Sequence, residues 1–404
     1  MKILDLIRES DRGFKRNLLL FMFAYFLAIF NYPLVKASTT AMFFDVYGAK
    51  STPGAWAWAV LFLSVAIFIC NRLQKKLSVQ TVFTVVSVGS AIIFLAGEVG
   101  VFGASKVFTY LSFIWKEICV VLQIHLLLGY ANNYFKKEDF KVLLGVLGAS
   151  GSAGGVCGGL LTTYLSGNGG TIVVLLTGVA FVLAPVFFFL GTKRLQVAEE
   201  KPQSPLATLD TPDVRKYVFY IAGIVALTQF IINIADFRFN LVFEATVQSA
   251  DLRTAYLGNI FTLTNGLTFV FQFFLLPFLL PRVKEKNLHV FIPLSYMVCL
   301  SVLMIGSEIA LFTIASVFIY LKAADYSLFS AGKELLYQPL AGKQKYGAKY
   351  LTDMLVYRSS KALIALTLIY LQSSFILNMM MAAFLLLWLY TVVRLFRLHQ
   401  QLFQ

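Results

Sequence analysis

The chain has 404 residues, of which 59% are apolar and only 13% are charged, whereas soluble domains carry about 25% charged residues. This composition excludes an ordinary water-soluble globule. The net charge of +14 would suit nucleic acid only if the basic residues formed one solvated face, and most of them lie between apolar runs instead. We therefore predict an all-α membrane protein that binds no nucleic acid.

Apolar runs follow one another along the chain, and a helix of about 20 such residues crosses a bilayer core. The runs cover 17–36, 54–71, 80–98, 107–131, 141–166, 171–191, 217–241, 256–280, 287–306, 308–331, 350–371 and 374–394. The sequence predicts about twelve transmembrane helices, numbered here as spans 1 to 12, while a count of eleven or ten stays open.

The longest connection between apolar runs, 192–216, contains prolines and charges of both signs. It divides the chain into a predicted N-terminal six-helix bundle, 1–191, a cytoplasmic linker, 192–216, and a C-terminal six-helix bundle, 217–404. Two similar halves are typical of secondary transporters, whose substrate site lies near mid-membrane where the halves meet. In a parallel repeat, span 1 corresponds to span 7 and span 4 to span 10.

Lysine and arginine residues are unevenly distributed between the two ends of the predicted spans. If both termini are cytoplasmic, the opposite side holds only Lys36, Lys50, Lys106 and Arg253. Cytoplasmic loops of membrane proteins are enriched in Lys and Arg, so this asymmetry favours two cytoplasmic termini. We expect a multi-pass protein of the inner (cytoplasmic) membrane.

Several ionisable side chains fall inside the apolar spans, where each charge costs about 2.5–3.5 kcal/mol and marks a candidate functional site. Six cations oppose three carboxylates, which predicts an electropositive cavity that suits an anion. Tyr326 joins this set because its spacing places it on one helix face with Lys322 and Asp325. The predicted substrate-binding residues are Lys36, Lys116, Glu117, Asp236, Arg238, Lys322, Asp325, Tyr326 and Arg358, and the sixth cation is Lys361.

A structural role for these charges is the alternative. Lys322 with Asp325, and Asp236 with Arg238, would then pair and hold the bundle together. Lys36 lies near the predicted end of span 1 and would simply reach water.

Span 5 is rich in glycine, which favours close helix packing over a phosphate-binding loop because no strand precedes it. The four cysteines, Cys70, Cys119, Cys157 and Cys299, lie in apolar runs without metal-ligand spacing. No nucleophile, base and orienting group occur together. The sequence therefore predicts neither an enzyme nor a metal or other cofactor.

The segment Leu321 to Ala362, LKAADYSLFSAGKELLYQPLAGKQKYGAKYLTDMLVYRSSKA, resembles the signature region of the ATP/ADP translocase family, the nucleotide transporters of plastids and intracellular bacteria. The matching positions are Lys322, Tyr326, Ser327, Leu328, Phe329, Lys333, Glu334, Tyr337, Pro339, Leu340, Asp353 and Lys361. The run YPLVKASTT around Lys36 and the GYANNYF run after Glu117 are also similar to that family.

This resemblance implies a major-facilitator-like antiporter that exchanges nucleotides, with Lys36, Glu117 and Lys322 as substrate-site positions. In such folds spans 1, 4, 7 and 10 line the cavity. Two departures concern nucleotide specificity: Asp325 stands where the family pattern has a cation, and VKA replaces LKD at the end of span 1.

Three functions follow as hypotheses. The first is exchange of ATP, ADP or a related phosphorylated anion by a monomer in a lipid bilayer. The second is proton-coupled transport of another organic anion or an amphiphile, with Glu117, Asp236 or Asp325 taking the proton. The third is a membrane receptor or assembly factor that keeps the fold but transports nothing.

Overall fold

A computed structural model describes residues 11–96, 106–135, 137–195, 209, 211–305 and 310–403. Throughout these ranges the chain is helical, with short turns between helices and no strand. All the predicted site residues lie within the described part, whereas most of the predicted linker, 192–216, lies outside it.

The helices of the first half are α1 (Arg12–Tyr47), α2 (Thr52–Gln74, preceded by a 3-10 turn Ala49–Ser51), α3 (Val79–Ala96), α4 (Lys106–Tyr134) and the long run Lys137–Leu190. This run is broken at Gly170, whose φ of 78° is left-handed and suits glycine. We therefore divide it into α5 (137–169) and α6 (171–190).

The helices of the second half include three with a π-helical turn. They are α7 (Pro212–Thr246), α8 (Ala250–Val270, the π turn Phe271–Leu275 and Leu276–Leu279), α9 (Glu285–Ile305), α10 (Leu311–Ala324, the π turn Asp325–Phe329 and Ser330–Leu336), α11 (Gly342–Lys349, the π turn Tyr350–Val356 and Tyr357–Tyr370) and α12 (Ser374–Phe403).

Among the described residues, ten helices are long and apolar enough to cross a membrane. One of the ten, Val146–Leu190, contains both α5 and α6 because it continues across the break at Gly170. The remaining helix, α11, begins with the polar stretch GKQKYGAK and becomes apolar further on. The twelve helices correspond to the twelve predicted spans, and the predicted all-α membrane fold is confirmed.

Helix α1 extends well beyond the predicted end of span 1 at residue 36 and ends at Tyr47. The hydroxyls of Ser38 and Thr39 donate to the carbonyl oxygens of Leu34 and Val35, at 2.7 and 2.6 Å, so these polar residues are satisfied inside the helix. Lys36 is therefore an interior residue of α1, and the expectation that it lies near a helix end is wrong.

The chain forms two compact units. Unit 1 contains the described residues of Met1–Gly48, Leu61–Glu199 and Val247–Gly266, and unit 2 contains those of Ala49–Val60, Glu200–Thr246 and Leu267–Gln404. Each unit includes a short segment from the other half of the sequence. The division into bundles at 1–191 and 217–404 stays a prediction.

Glycines of α5 pack closely against α1 in unit 1. A Cβ on Gly154 would lie 2.8 Å from the carbonyl oxygen of Phe26, and one on Gly158 would overlap the carbonyl oxygen of Phe30. Only a residue without a side chain allows the two backbones this approach. The predicted close packing of span 5 is confirmed at these positions.

Candidate functional site

The first ion pair inside the membrane-spanning part joins α1 to α4 in unit 1. Lys36 Nζ lies 3.4 Å from Glu117 Oε1, and both side chains are 19% exposed. The same ammonium donates a hydrogen bond of 2.7 Å to Tyr32 Oη and lies 5.5 Å from the ring centre of Phe261. Lys36 is thus held by a carboxylate, a hydroxyl and an aromatic face.

Lys116 and Glu117 are neighbours in sequence, but their side chains differ in their surroundings. Adjacent helical residues project about 100° apart. Glu117 meets Lys36, whereas Lys116 is buried and its ammonium lies over the ring of Phe113, 2.9 Å from the ring centre. An aromatic face attracts a cation, so Lys116 has a stabilising contact apart from the Lys36 pair.

The second ion pair joins α7 to α10 in unit 2. Lys322 Nζ lies 3.1 Å from Asp236 Oδ2, and their side chains are 14% and 16% exposed. The other oxygen of Asp236, Oδ1, accepts a hydrogen bond of 3.3 Å from Asn240 Nδ2. The spacing of residues along a single helix did not predict that Lys322 would bind Asp236.

The two pairs occupy matching positions in the two halves of the sequence. Lys36 and Asp236 each lie 24 residues after the first residue of their helix, Arg12 in α1 and Pro212 in α7. Glu117 and Lys322 each lie 11 residues after the first residue of α4 and α10. In the first half the cation lies on α1 and the carboxylate on α4, whereas in the second half the carboxylate lies on α7 and the cation on α10. This correspondence favours the predicted repeat of spans 1 and 4 in spans 7 and 10.

Arg238 contacts a different neighbour from Asp236. It is 3% exposed, and its Nη1 donates to Asn378 Oδ1 on α12. Residues two apart on a helix project about 200° apart, so Arg238 faces away from the Asp236 pair. Within the described residues Arg238 forms no ion pair, and its buried Nη2 has no hydrogen-bond partner. An anionic oxygen would satisfy this atom, and the assignment of Arg238 to the substrate site stays a prediction.

The remaining predicted residues are more scattered. Asp325 begins the π turn of α10 and is buried, whereas Tyr326 is 45% exposed, so the two differ in environment. Arg358 on α11 is half-buried and directs Nη2 to Met354 Sδ at 3.9 Å. In the part of the chain that the structure describes, Arg358 makes no hydrogen bond or ion pair with another predicted site residue.

The translocase-like segment contains a network that the sequence reasoning did not predict. Lys333 Nζ lies 2.6 Å from Asp353 Oδ1, and Lys349 Nζ lies 2.6 Å from Glu334 Oε2. The hydroxyl of Tyr337 lies between Thr352 and Asp353. Burial and the neighbouring Asp353 carboxylate raise the pKa of Tyr337. These contacts hold the end of α10 against the beginning of α11. Opposite charges on the two sides of the turn between these helices are the feature of the sequence that could have indicated the contacts.

No protein-family model and no curated protein sequence matches the chain. Solved structures do match. A bacterial homologue of the iron transporter ferroportin in its inward-facing state is 12% identical, with a TM-score of 0.66 over 93% of this chain and 98% of that one. The fold is major-facilitator-like. The nucleoside transporter NupG is 14% identical, with a TM-score of 0.60 over 95% and 98% of the two chains. An autoinhibited peptide transporter of the POT family is 10% identical, with a TM-score of 0.66 over 95% and 97%.

At these identities the likeness shows the fold alone. Since no family model matches, the resemblance to the ATP/ADP translocases stays a prediction.

Proposed function

We propose that this chain is a secondary transporter that exchanges nucleotides or related phosphorylated anions by alternating access. One observation carries the proposal. Lys36 and Lys322, which lie in the segments that resemble the ATP/ADP translocases, both form ion pairs between helices of the membrane-spanning part. The known transporters with this fold, among them a nucleoside transporter, support a transport role.

Glu117 and Asp236 act as internal counter-ions for the two lysines. A lysine inside the membrane requires an anion, and the carboxylates supply it while no substrate is bound. A phosphate group carries more negative charge and three acceptor oxygens, so it competes with a carboxylate for an ammonium group. Substrate binding therefore exchanges each carboxylate for a phosphate oxygen, and Tyr32 keeps Lys36 oriented during the exchange.

The localisation and assembly belong to the same proposal. The chain is a monomer of the cytoplasmic membrane with both termini in the cytoplasm. The predicted excess of basic residues on that side supports this orientation. Labelling of single cysteines near each terminus in intact cells, before and after permeabilisation, tests it.

Ligand-induced stabilisation of the purified protein tests the substrate class. A ligand at 100 times its Kd adds about 2.7 kcal/mol to the stability of the native state. ATP and ADP should raise the melting temperature, whereas adenosine, which lacks phosphate, should raise it much less. Lys322→Ala should abolish the nucleotide effect, and the exposed control Lys286→Ala should keep it. Equal stabilisation by adenosine, or none by any nucleotide, would count against a phosphate-binding site.

Proton-coupled transport of another organic anion is the second candidate, and the carboxylate partners favour it. Protonation of Glu117 or Asp236 would break an ion pair and release a lysine for an anion. Uptake driven by an imposed pH gradient, without internal substrate, would support this mechanism. Uptake that requires internal nucleotide and ignores the pH gradient would support exchange.

A further inference from the structure

Arg238 lies in the part of α7 that packs against α12 within unit 2. Its side chain is 3% exposed. The nearby apolar side chains of Phe237 and Phe239 on α7, and of Leu377 and Met381 on α12, are almost completely buried. A guanidinium group in such surroundings has lost its water, so it needs hydrogen bonds and an opposite charge in exchange.

The Arg238 side chain forms one hydrogen bond with the described residues. Its Nη1 donates to Asn378 Oδ1 on α12, whereas its buried Nη2 has no hydrogen-bond partner among them. An arginine has five N–H donors and stays protonated in proteins. The charge of Arg238 therefore persists, and its hydrogen-bonding capacity is only partly used.

The acids of α7 do not neutralise Arg238. Asp236 forms an ion pair with Lys322, and residues two apart on a helix project about 200° apart. Glu244, the next acid along α7, accepts a hydrogen bond from the backbone nitrogen of Ala49. Among the described residues, no carboxylate of α7 forms an ion pair with Arg238.

The helices that pack on α7 do not neutralise Arg238 either. These helices are α10, α11 and α12. Helix α12 contains no Asp or Glu, and α11 contains none from Tyr357 to Tyr370. On α10, neither Asp325 nor Glu334 forms an ion pair with Arg238. Within the part of the chain that the structure describes, the guanidinium thus lacks a counter-ion, and we expect one from solution.

Asn378 supplies a second donor next to the guanidinium. Arginine only donates hydrogen bonds, so the amide turns Oδ1 to Arg238 and leaves Nδ2 as a donor on the same planar group. Asn378 is half-buried and lies four residues after Ser374, about 6 Å from the beginning of α12. A small ion therefore reaches this amide near the end of the helix, without crossing the core of unit 2.

We propose that Arg238 and Asn378 bind a small monovalent anion, chloride, which is the counter-ion of the guanidinium and joins α7 to α12. One guanidinium balances one negative charge, so chloride leaves the site neutral. A phosphate group would bury additional charge, which is costly without further donors. The anion is a structural part of unit 2, separate from the pair of Lys322 with Asp236. This inference does not depend on nucleotide transport.

Thermal unfolding of the purified protein in chloride and in gluconate, at equal pH and ionic strength and without nucleotide, tests the site. Chloride should raise the melting temperature of the parent by about 2–5 °C, with saturation, because it binds only the native state. Asn378→Asp places a carboxylate beside Arg238, so this variant should be as stable in gluconate as in chloride. Arg238→Met removes the charge and should also lose the response to chloride.

Arg397→Gln, which removes an exposed arginine from the same α12, is the matched control and should respond to chloride like the parent. No response of the parent to chloride, or an undiminished response of Asn378→Asp, overturns the proposal. Stabilisation by ATP that Arg238→Met abolishes, in a protein that ignores chloride, would overturn it in favour of the substrate site. A chloride response that Asn378→Asp and Arg238→Met both lose supports the anion site, whether or not the protein transports nucleotides.

Discussion

Lys36 and Lys322 are tolerated inside apolar helices because each meets a carboxylate on a neighbouring helix. The sequence predicted these lysines and acids one by one, from their placement within apolar runs. It did not predict their partners, because each pair joins helices far apart in the chain and no local spacing encodes the contact. Spacing along one helix suggested Asp325 as the partner of Lys322, and the structure shows an ion pair of Lys322 with Asp236.

Glu117→Gln is expected to leave Lys36 without its counter-ion and to destabilise the protein by about 2 kcal/mol, the cost of losing a charged hydrogen-bond partner. ATP should then stabilise the variant more than the parent, because the Glu117 carboxylate no longer competes for Lys36. The melting temperature in detergent, with and without ATP, measures both effects. Glu334→Gln, which removes an exposed acid that pairs with Lys349, is the control and should change little. A Glu117→Gln variant that ATP stabilises less than the parent would contradict the exchange of carboxylate for phosphate.

Tyr337 gives a prediction about pH. Its raised pKa means that the folded protein keeps it protonated, while the unfolded chain ionises it near pH 10. The contribution of Tyr337 to stability is therefore complete below about pH 10 and is lost as the pH rises further. Tyr337→Phe should show a shallower loss of stability between about pH 9 and 11. Tyr346→Phe, at an exposed position, should follow the parent. Parallel curves for all three proteins would exclude this role for Tyr337.

Helices were predicted well from hydropathy, and their ends less well. The predicted end of span 1 fell at Lys36 because a charge interrupts the apolar run, yet α1 continues to Tyr47. The helix tolerates that charge through Glu117, a partner on α4. Similarly, α11 begins with a polar stretch, and contacts such as that of Lys333 with Asp353 hold it against α10. The ends of these helices therefore depend on tertiary contacts, which the hydropathy of the sequence does not predict.

Gly158→Ala tests the close packing of α5 on α1. The added methyl group would overlap the carbonyl oxygen of Phe30, and backbone cannot move aside as a side chain can. We expect a loss of about 1–3 kcal/mol, seen as a lower melting temperature. Gly167→Ala is the control on the same helix, since nothing lies within 4 Å of its added carbon. It should be neutral or stabilising by up to about 1 kcal/mol, because alanine favours the helix. Equal effects of the two substitutions would argue against close packing at Gly158.

At the scale of the whole molecule, composition and apolar runs predicted an all-α membrane protein. Twelve apolar runs predicted the helices, the resemblance of the Leu321 to Ala362 segment implied a major-facilitator-like fold, and the solved structures confirm that fold. The structure pairs both key lysines with acids, so the net positive character that the sequence predicted is smaller at those two positions.

Uptake of radiolabelled ATP into proteoliposomes, with and without internal ADP, measures exchange directly. The parent protein should take up ATP much faster when ADP is inside, and Lys322→Ala should lose that uptake while Lys286→Ala retains it. A protein that takes up no nucleotide under either condition, or that works equally well without Lys322, would contradict nucleotide exchange at this site.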